Sequence, residues 1–363
     1  MTRGTVSHVF VACLATAGCD SASLNMGPSD MSMTTEPTGP VVIASGQQAP
    51  VAIAVDGANI YWMNLGTNPT TDAKAPRAWT GGQILRCPVG GCGGAPLVLA
   101  SNLTQGSVQA PAAFASDGQS LYWSTLSGVE RCGLAGCGDQ PQALSQQETD
   151  GLAVFQGTLY WTQFAAELYD CPVGGCGGSV TTLWSAGYSP CDVGVAVDAS
   201  GIYWVAQGPA TLYSCPLGGC GGTPTTLMAS TETVAAAREV ALDANNVYFT
   251  DGNPMIGMIV ACAKSGCGPA PTVLASALDA PVGITTDGIN VYWTETGPDF
   301  LAGSPVTGTG SVRKCAVGGC GNAPINIATG LTSPGAIALD DAYVYWTEAG
   351  ATADGGNIWK APK

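Results

Sequence analysis

A tyrosine followed directly by a second aromatic residue recurs seven times along the chain: Tyr61-Trp62, Tyr122-Trp123, Tyr160-Trp161, Tyr203-Trp204, Tyr248-Phe249, Tyr292-Trp293 and Tyr345-Trp346. Repeats a few dozen residues long admit few architectures, because one such unit cannot bury its own apolar faces and must stack on copies of itself. Before each pair runs a small-apolar segment ending in a turn, as in Val51-Ala52-Ile53-Ala54-Val55-Asp56-Gly57. Its counterparts end at Asp117, Gln156, Asp198, Asp243, Asp287 and Asp340. After each pair come a loop, an alternating segment such as Ile84-Leu85-Arg86-Cys87, a glycine-rich turn, and a last segment such as Pro96-Leu97-Val98-Leu99-Ala100. Short alternating segments between turns read as four antiparallel strands per repeat, lettered a to d. The prediction is an all-β, seven-bladed β-propeller of four-stranded antiparallel blades.

Closure of the ring is also written in the chain. The final Ile358-Trp359-Lys360-Ala361-Pro362-Lys363 aligns with strand c, so the last repeat lacks strand d. Pro40-Val41-Val42-Ile43-Ala44-Ser45 matches Pro96-Leu97-Val98-Leu99-Ala100-Ser101. The N-terminal strand is therefore expected to complete blade seven, and the propeller to span residues 40–363.

Twelve of the fifteen cysteines form Cys-x4-Cys pairs in the c–d turns: Cys87 with Cys92, Cys132 with Cys137, Cys171 with Cys176, Cys215 with Cys220, Cys262 with Cys267, and Cys315 with Cys320. Blade seven has Ala361 at the first position, as it should if its c and d strands share no turn. A metal reading would need four ligands and finds two thiolates per blade without histidine. Disulfides fit better, each closing a small loop for about 2 kcal/mol in the chain-entropy account. Cys191 is left over and reads as a passive thiol, with no histidine, lysine or arginine near it in sequence to lower its pKa.

Residues 1–19 read as an export signal, with Arg3 ahead of an apolar stretch from Val6 to Ala17 that is too short to anchor in a bilayer. Thr16-Ala17-Gly18-Cys19 resembles a bacterial lipoprotein signal, which would lipidate Cys19; Thr16 stands where that motif usually has leucine. Ala15-Thr16-Ala17 also fits ordinary small-x-small cleavage, which would release a secreted protein. Residues 20–39 read as a flexible tether, and Met26, Met31 and Met33 within it as linker rather than a copper site. The expected address is the bacterial cell envelope, with the membrane reached only through the lipid.

Charge and composition exclude whole classes of function. With a formal net charge of −15 and eleven Lys and Arg, the chain is repelled by phosphate backbones, which argues against nucleic acid. Its one histidine, His8, lies in the export signal, which removes Ser-His-Asp and Cys-His catalysis and histidine-ligated zinc from the mature protein. Turns such as Gly90-Gly91-Cys92-Gly93-Gly94 lack the Lys-Ser/Thr and helix of a phosphate loop. No metal or cofactor is expected.

Tyr292-Trp293-Thr294-Glu295, Tyr345-Trp346-Thr347-Glu348 and Tyr248-Phe249-Thr250-Asp251, with the Ala-Leu-Asp and Ala-Val-Asp segments before such strands, resemble the YWTD repeat of low-density-lipoprotein-receptor-type propellers. The resemblance runs repeat by repeat over residues 41–363 and implies a rigid, noncatalytic module that binds proteins or peptides. Two features depart from that family: seven repeats where it normally has six blades, and the Cys-x4-Cys turns.

Strand alternation sorts the loops. The a–b and c–d turns lie at one end and are uniform; the b–c and d–a connections lie at the other and are irregular. Recognition is expected on the irregular face. The candidates are Asp72, Lys74, Arg77 and Trp79 in the first long loop, Tyr188 in the third blade's exit, and Asp299 and Phe300 in the sixth. Asn64, Gln163, Asp251, Glu295 and Glu348 share the fourth position of the aromatic strand near that face, and Asp251 and Glu295 are added as ligand candidates. A shared calcium is not expected of this column, since its members sit on separate blades; turn and interblade hydrogen bonds are. The expected function is noncatalytic binding or scaffolding toward a protein, peptide or glycan. The alternative is a carboxylate-dependent glycoside hydrolase or polysaccharide lyase, for which no pair is marked by spacing.

Overall fold

In the computed structural model, residues 38–67, 79–105, 113–125, 128–147, 149–163, 167–177, 180–185, 192–206, 210–229, 237–253, 256–297, 307–352 and 354–363 are described. Residues 1–19, read above as an export signal and including Cys19, and Cys191 fall outside them. Among the described residues, twenty-eight strands form seven four-stranded antiparallel sheets. Blade one is β2 (Pro50–Val55), β3 (Asn59–Asn64), β4 (Trp79–Pro88) and β5 (Leu97–Gln105), and blades two to six repeat that order. Blade seven is β26 (Pro334–Leu339), β27 (Tyr343–Glu348) and β28 (Gly356–Pro362), completed at its outer edge by β1 (Val41–Gln47). Val41 lies opposite Lys360 and Gln47 opposite Gly356, so the chain's first strand is the missing strand d. The inner strands contact one another in sequence around the ring, and β26 meets β2. Among the described residues no helix is long and apolar enough to cross a membrane.

The aromatic pair explains why blades stack. Adjacent strand residues point to opposite sheet faces, so each tyrosine faces the next blade and each tryptophan the previous one. The core accordingly divides into seven clusters, each shared by two neighbours. Tyr61, Met63 and Ile84 of blade one meet Leu121 and Trp123 of blade two; Ile43, Tyr345 and Ile358 of blade seven meet Ile53, Ile60 and Trp62 of blade one. Every aromatic in the second position, from Trp62 to Trp346 with Phe249 among them, is 0% exposed. Ala361 is buried in the cluster between blades six and seven, where the other blades place a half-cystine.

In blades five and six the residue after the pair ties blade to blade. The Thr294 hydroxyl accepts from the Gly283 amide of its own inner strand at 3.0 Å and donates to the Gly335 carbonyl of blade seven at 2.6 Å. Thr250 does the same between Glu239 (3.3 Å) and Val282 of blade six (2.8 Å). A buried hydroxyl that meets both a donor and an acceptor leaves no polar group stranded.

At the opposite end, the aspartate that closes the a–b turn holds the tyrosine five residues on. One Asp56 oxygen accepts the Ala58 and Asn59 amides, and the other accepts the Tyr61 hydroxyl at 2.7 Å. Asp117–Tyr122, Asp243–Tyr248, Asp287–Tyr292 and Asp340–Tyr345 repeat this clamp. In blade four Ser200 bridges Asp198 and Tyr203 instead. Burial alone would raise these carboxyls, but the amide and tyrosine hydrogen bonds outweigh it. Asp56, Asp117 and Asp243 sit below the usual carboxylate range, and Asp287, also facing Lys363, is lowered to about 2. Burial and the facing carboxylate push Tyr61, Tyr122 and Tyr292 up to about 12. A lowered carboxyl stabilises the fold above its unfolded pKa and is lost as pH falls; a raised tyrosine stabilises below about pH 10 and is lost above it. Thermal unfolding should therefore show the clamp contribution constant from about pH 5 to about pH 9 and declining below about pH 4. Asp287→Asn should make the acid decline shallower; an unaltered acid limb would count against the clamp.

All six expected disulfides are present, with Cα–Cα distances from 5.1 to 5.5 Å. Six of them fit an oxidising, exported location. The chain's few cations reinforce the blade seams: Arg86 donates to the Leu134 carbonyl, Arg131 to that of Val173 and Lys360 to that of Val89, while Lys264 pairs with Asp198.

Candidate functional site

The inner strands converge on the axis, and one position in each makes the closest approach. It precedes the residue paired with the buried tryptophan or phenylalanine, and in blades one to seven it is Ala52, Ala113, Gly151, Gly194, Glu239, Gly283 and Ala336. Small residues are required sterically. A Cβ on Gly194 would lie 2.7 Å from the Arg238 carbonyl oxygen and 2.9 Å from the Glu239 Cα. One on Gly283 would lie 2.7 Å from the Gly335 carbonyl oxygen. Six blades obey the rule and blade five carries a glutamate.

Register shifts at or beside this position interrupt the pairing of strand a with strand b in blades one, four, five, six and seven. A bulge re-aims a side chain, and here Glu239 lines an axial cavity of about 140 Å³ enclosed by all seven inner strands. The cavity is lined by the early half of each strand, on the side where the d–a connections enter. Ile53, Phe114, Leu152, Ile284 and Ile337 give it apolar walls; among the described residues its charged lining is Glu239 and, one position nearer the d–a side, Asp150. Glu239 keeps some exposure to the cavity and is otherwise packed in protein. That burial pushes its pKa up to about 7, against an opposing pull from Arg238. No described residue donates a hydrogen bond to the carboxyl, and the Arg238 side chain runs outward against Gly252.

The residues expected from sequence fall elsewhere. Asp72, Lys74, Arg77, Tyr188, Asp299 and Phe300 lie outside the described residues. Trp79 opens β4, half-buried opposite Gln105, beside a bridge between Thr67 and Thr80 that extends the b–c connection. Asp251 and Glu295 are 0% and 1% exposed and sit on different blades. Glu295 accepts the Trp293 indole N–H at 2.8 Å and the Asp279 amide at 3.2 Å, and meets Arg313 at 3.4 Å. Glu348 binds the Thr332 amide, Asn357 and Trp359 in the same way, and Asn64 shares the Gln47 side-chain oxygen with Trp62. Asn64, Glu295 and Glu348 of this column latch a d–a connection onto its blade, while Asp251 accepts the Asn253 amide of its own b–c connection; among the described residues no group of three or more potential ligands could hold a metal ion. The axial pair, Asp150 and Glu239, was not among the sequence candidates.

No protein-family model matches the chain, and no curated protein matches its sequence. Solved structures do. The WD40 β-propeller domain of Doa1 is similar at 10% identity, with 89% of this chain and 97% of that one covered and a TM-score of 0.57. The computationally designed Ika8 protein is similar at 12% identity over 88% and 98%, TM-score 0.50. A chain of the nidogen/laminin complex is similar at 16% identity over 67% and 90%, TM-score 0.47. At such identities the likeness is one of fold, and the fold is the β-propeller.

Proposed function

We propose that the protein is a noncatalytic binding or scaffold module of the bacterial cell envelope, held there by a lipid on Cys19, with relatives among YWTD-type propellers. It takes a protein, peptide or glycan on the face built from the b–c and d–a connections. The observation that carries this reading is the contrast between the two ends of the ring. One end is spent on six near-identical disulfide turns and five aspartate–tyrosine clamps. The other has connections of unequal length and composition, and the charged cavity lies toward it.

The hydrolase or lyase alternative has one feature in its favour, two carboxyls facing one cavity with one of them raised toward neutrality. Size weighs against it: 140 Å³ is less than half the roughly 300 Å³ at which ligand clefts begin. The test is capture of envelope proteins and glycan-array binding by the purified protein and by a variant lacking 68–78. Binding lost with the deletion supports the face; binding that survives it rejects that loop, and turnover of any polysaccharide rejects the noncatalytic reading.

A further inference from the structure

The axial cavity has a chemistry of its own. Its position in the ring is reserved for alanine or glycine, and blade five places a carboxyl there that receives no hydrogen bond from the described residues. Burying such a group without a partner is costly, so a group that opposes the bulging backbone of blade four and meets no donor calls for a ligand. Its walls are aliphatic and aromatic, its two charged residues are both acidic, and the chain as a whole carries −15. Each inner strand is bonded on one side only, so part of its backbone N–H and C=O set faces the axis. A divalent ion would need several oxygen ligands, and no cluster of three or more exists among the described residues. A cation with an alkyl stem and three N–H donors matches all of this: the stem lies on the apolar wall and the head reaches the carboxylate and backbone carbonyls.

We propose that this cavity binds a primary alkylammonium group, with Glu239 as its counter-ion and Asp150 nearer the entrance. The inference rests on the binding reading above in that it shares the d–a side of the ring, and it names the chemistry taken there. The group is either the lysine head of a docked partner or a free amine. Ionised Glu239 is the form that binds, so below neutrality the cation displaces a proton: carboxylic acid plus alkylammonium gives the ion pair and a released proton. The charged and titratable groups around it are Arg238 beside it, Asp251 on the paired strand and Asp150 across the cavity; blades four and six present Gly194, Val195, Gly283 and Ile284.

The probes are n-butylammonium chloride, a Gly-Gly-Lys-Gly-Gly peptide and its acetyl-lysine counterpart, titrated into the whole protein by calorimetry and by amide NMR shifts of Gly194 and Gly283. At about pH 8 the wild type should bind at least one amine probe saturably, and at about pH 5 at least about tenfold more weakly, because the carboxylate is then largely protonated. Glu239→Gln, nearly isosteric and free of the buried charge, should fold and lose binding at both pH values; acetyl-lysine and 1-butanol should not bind. Binding of the peptide but not the free amine assigns the site to a partner's lysine, and the reverse assigns it to a small amine; either supports the proposal. Equal binding by wild type and Glu239→Gln, or no binding of either amine, overturns it. Amine binding retained in the variant lacking 68–78, alongside failure to capture any partner, would sink the macromolecular reading and leave this one standing.

Discussion

Removing Val41–Gln47 is expected to destabilise the protein more than any single substitution in it. β1 is the whole outer strand of blade seven, and it joins the two ends of the chain. Its loss bares the edge of β28 and strips Ile43 and Ala44 from the cluster between blades seven and one. It also removes Gln47, whose side-chain oxygen accepts the buried Trp62 indole N–H at 2.9 Å. A buried isoleucine is worth about 1.5–3 kcal/mol, and a stranded buried donor costs about 1–3 kcal/mol. Together with the lost ladder this approaches the roughly 5–15 kcal/mol that holds a typical domain folded. Urea unfolding of a chain starting at Gln48 should show a much lower midpoint and a broadened transition. A synthetic peptide covering residues 40–48 should restore much of it by adding back the strand. A truncated chain with the midpoint of the full one would mean that the ring does not depend on its clasp.

The clasp was legible in the sequence because it is a matter of copy number: seven strand-a, -b and -c segments, six strand-d segments after them, and one spare at the front. The disulfides were legible for the same reason, and Ala361 was informative because it broke a pattern only where the pattern should break. Glu239 breaks a pattern too, but its meaning rests on where the inner strands aim that column. The a–b turn of blade three keeps the register of the others, but Phe155 stands where they place the turn aspartate, and the turn runs through Gln156 in a left-handed conformation (φ 47°). The axial position lies ten residues before the buried aromatic in every repeat, so the departure at Glu239 is visible once the repeats are aligned; what the alignment does not show is that this column faces the axis. Glu295 was opaque for a different reason. A carboxylate at the start of an irregular loop looks exposed, and what buries it is the d–a connection folding back so that the Asp279 amide reaches it. That contact joins residues sixteen apart through a turn that passes through Ala280 with φ 54°, and no local pattern announces it.

Replacing Glu239 with alanine should make the protein more stable near neutrality while leaving its acid stability almost unaltered. The sign follows from a folded pKa of about 7 against an ordinary glutamate value of 4.5. A carboxyl raised on folding favours the native state where it is protonated in both states, and that advantage is lost as pH rises through the folded value. In the wild type the loss should run from about pH 4.5 to about pH 7, and at about 1.4 kcal/mol per pH unit of displacement it amounts to roughly 3 kcal/mol. Burial also raises the Glu130 and Asp170 carboxyls, so Glu239 is read from the difference between the two profiles, not from the wild-type slope alone. Denaturant unfolding at about pH 5 and about pH 8 should give wild-type stability falling by a few kcal/mol between the two and Glu239→Ala falling clearly less. Alanine already fills this position in blades one, two and seven, so the substitution restores the ring's own rule and brings no new clash. Parallel pH profiles for the two proteins would mean that the carboxyl is already hydrated or paired, and that the axial cavity imposes no charge penalty for a ligand to relieve.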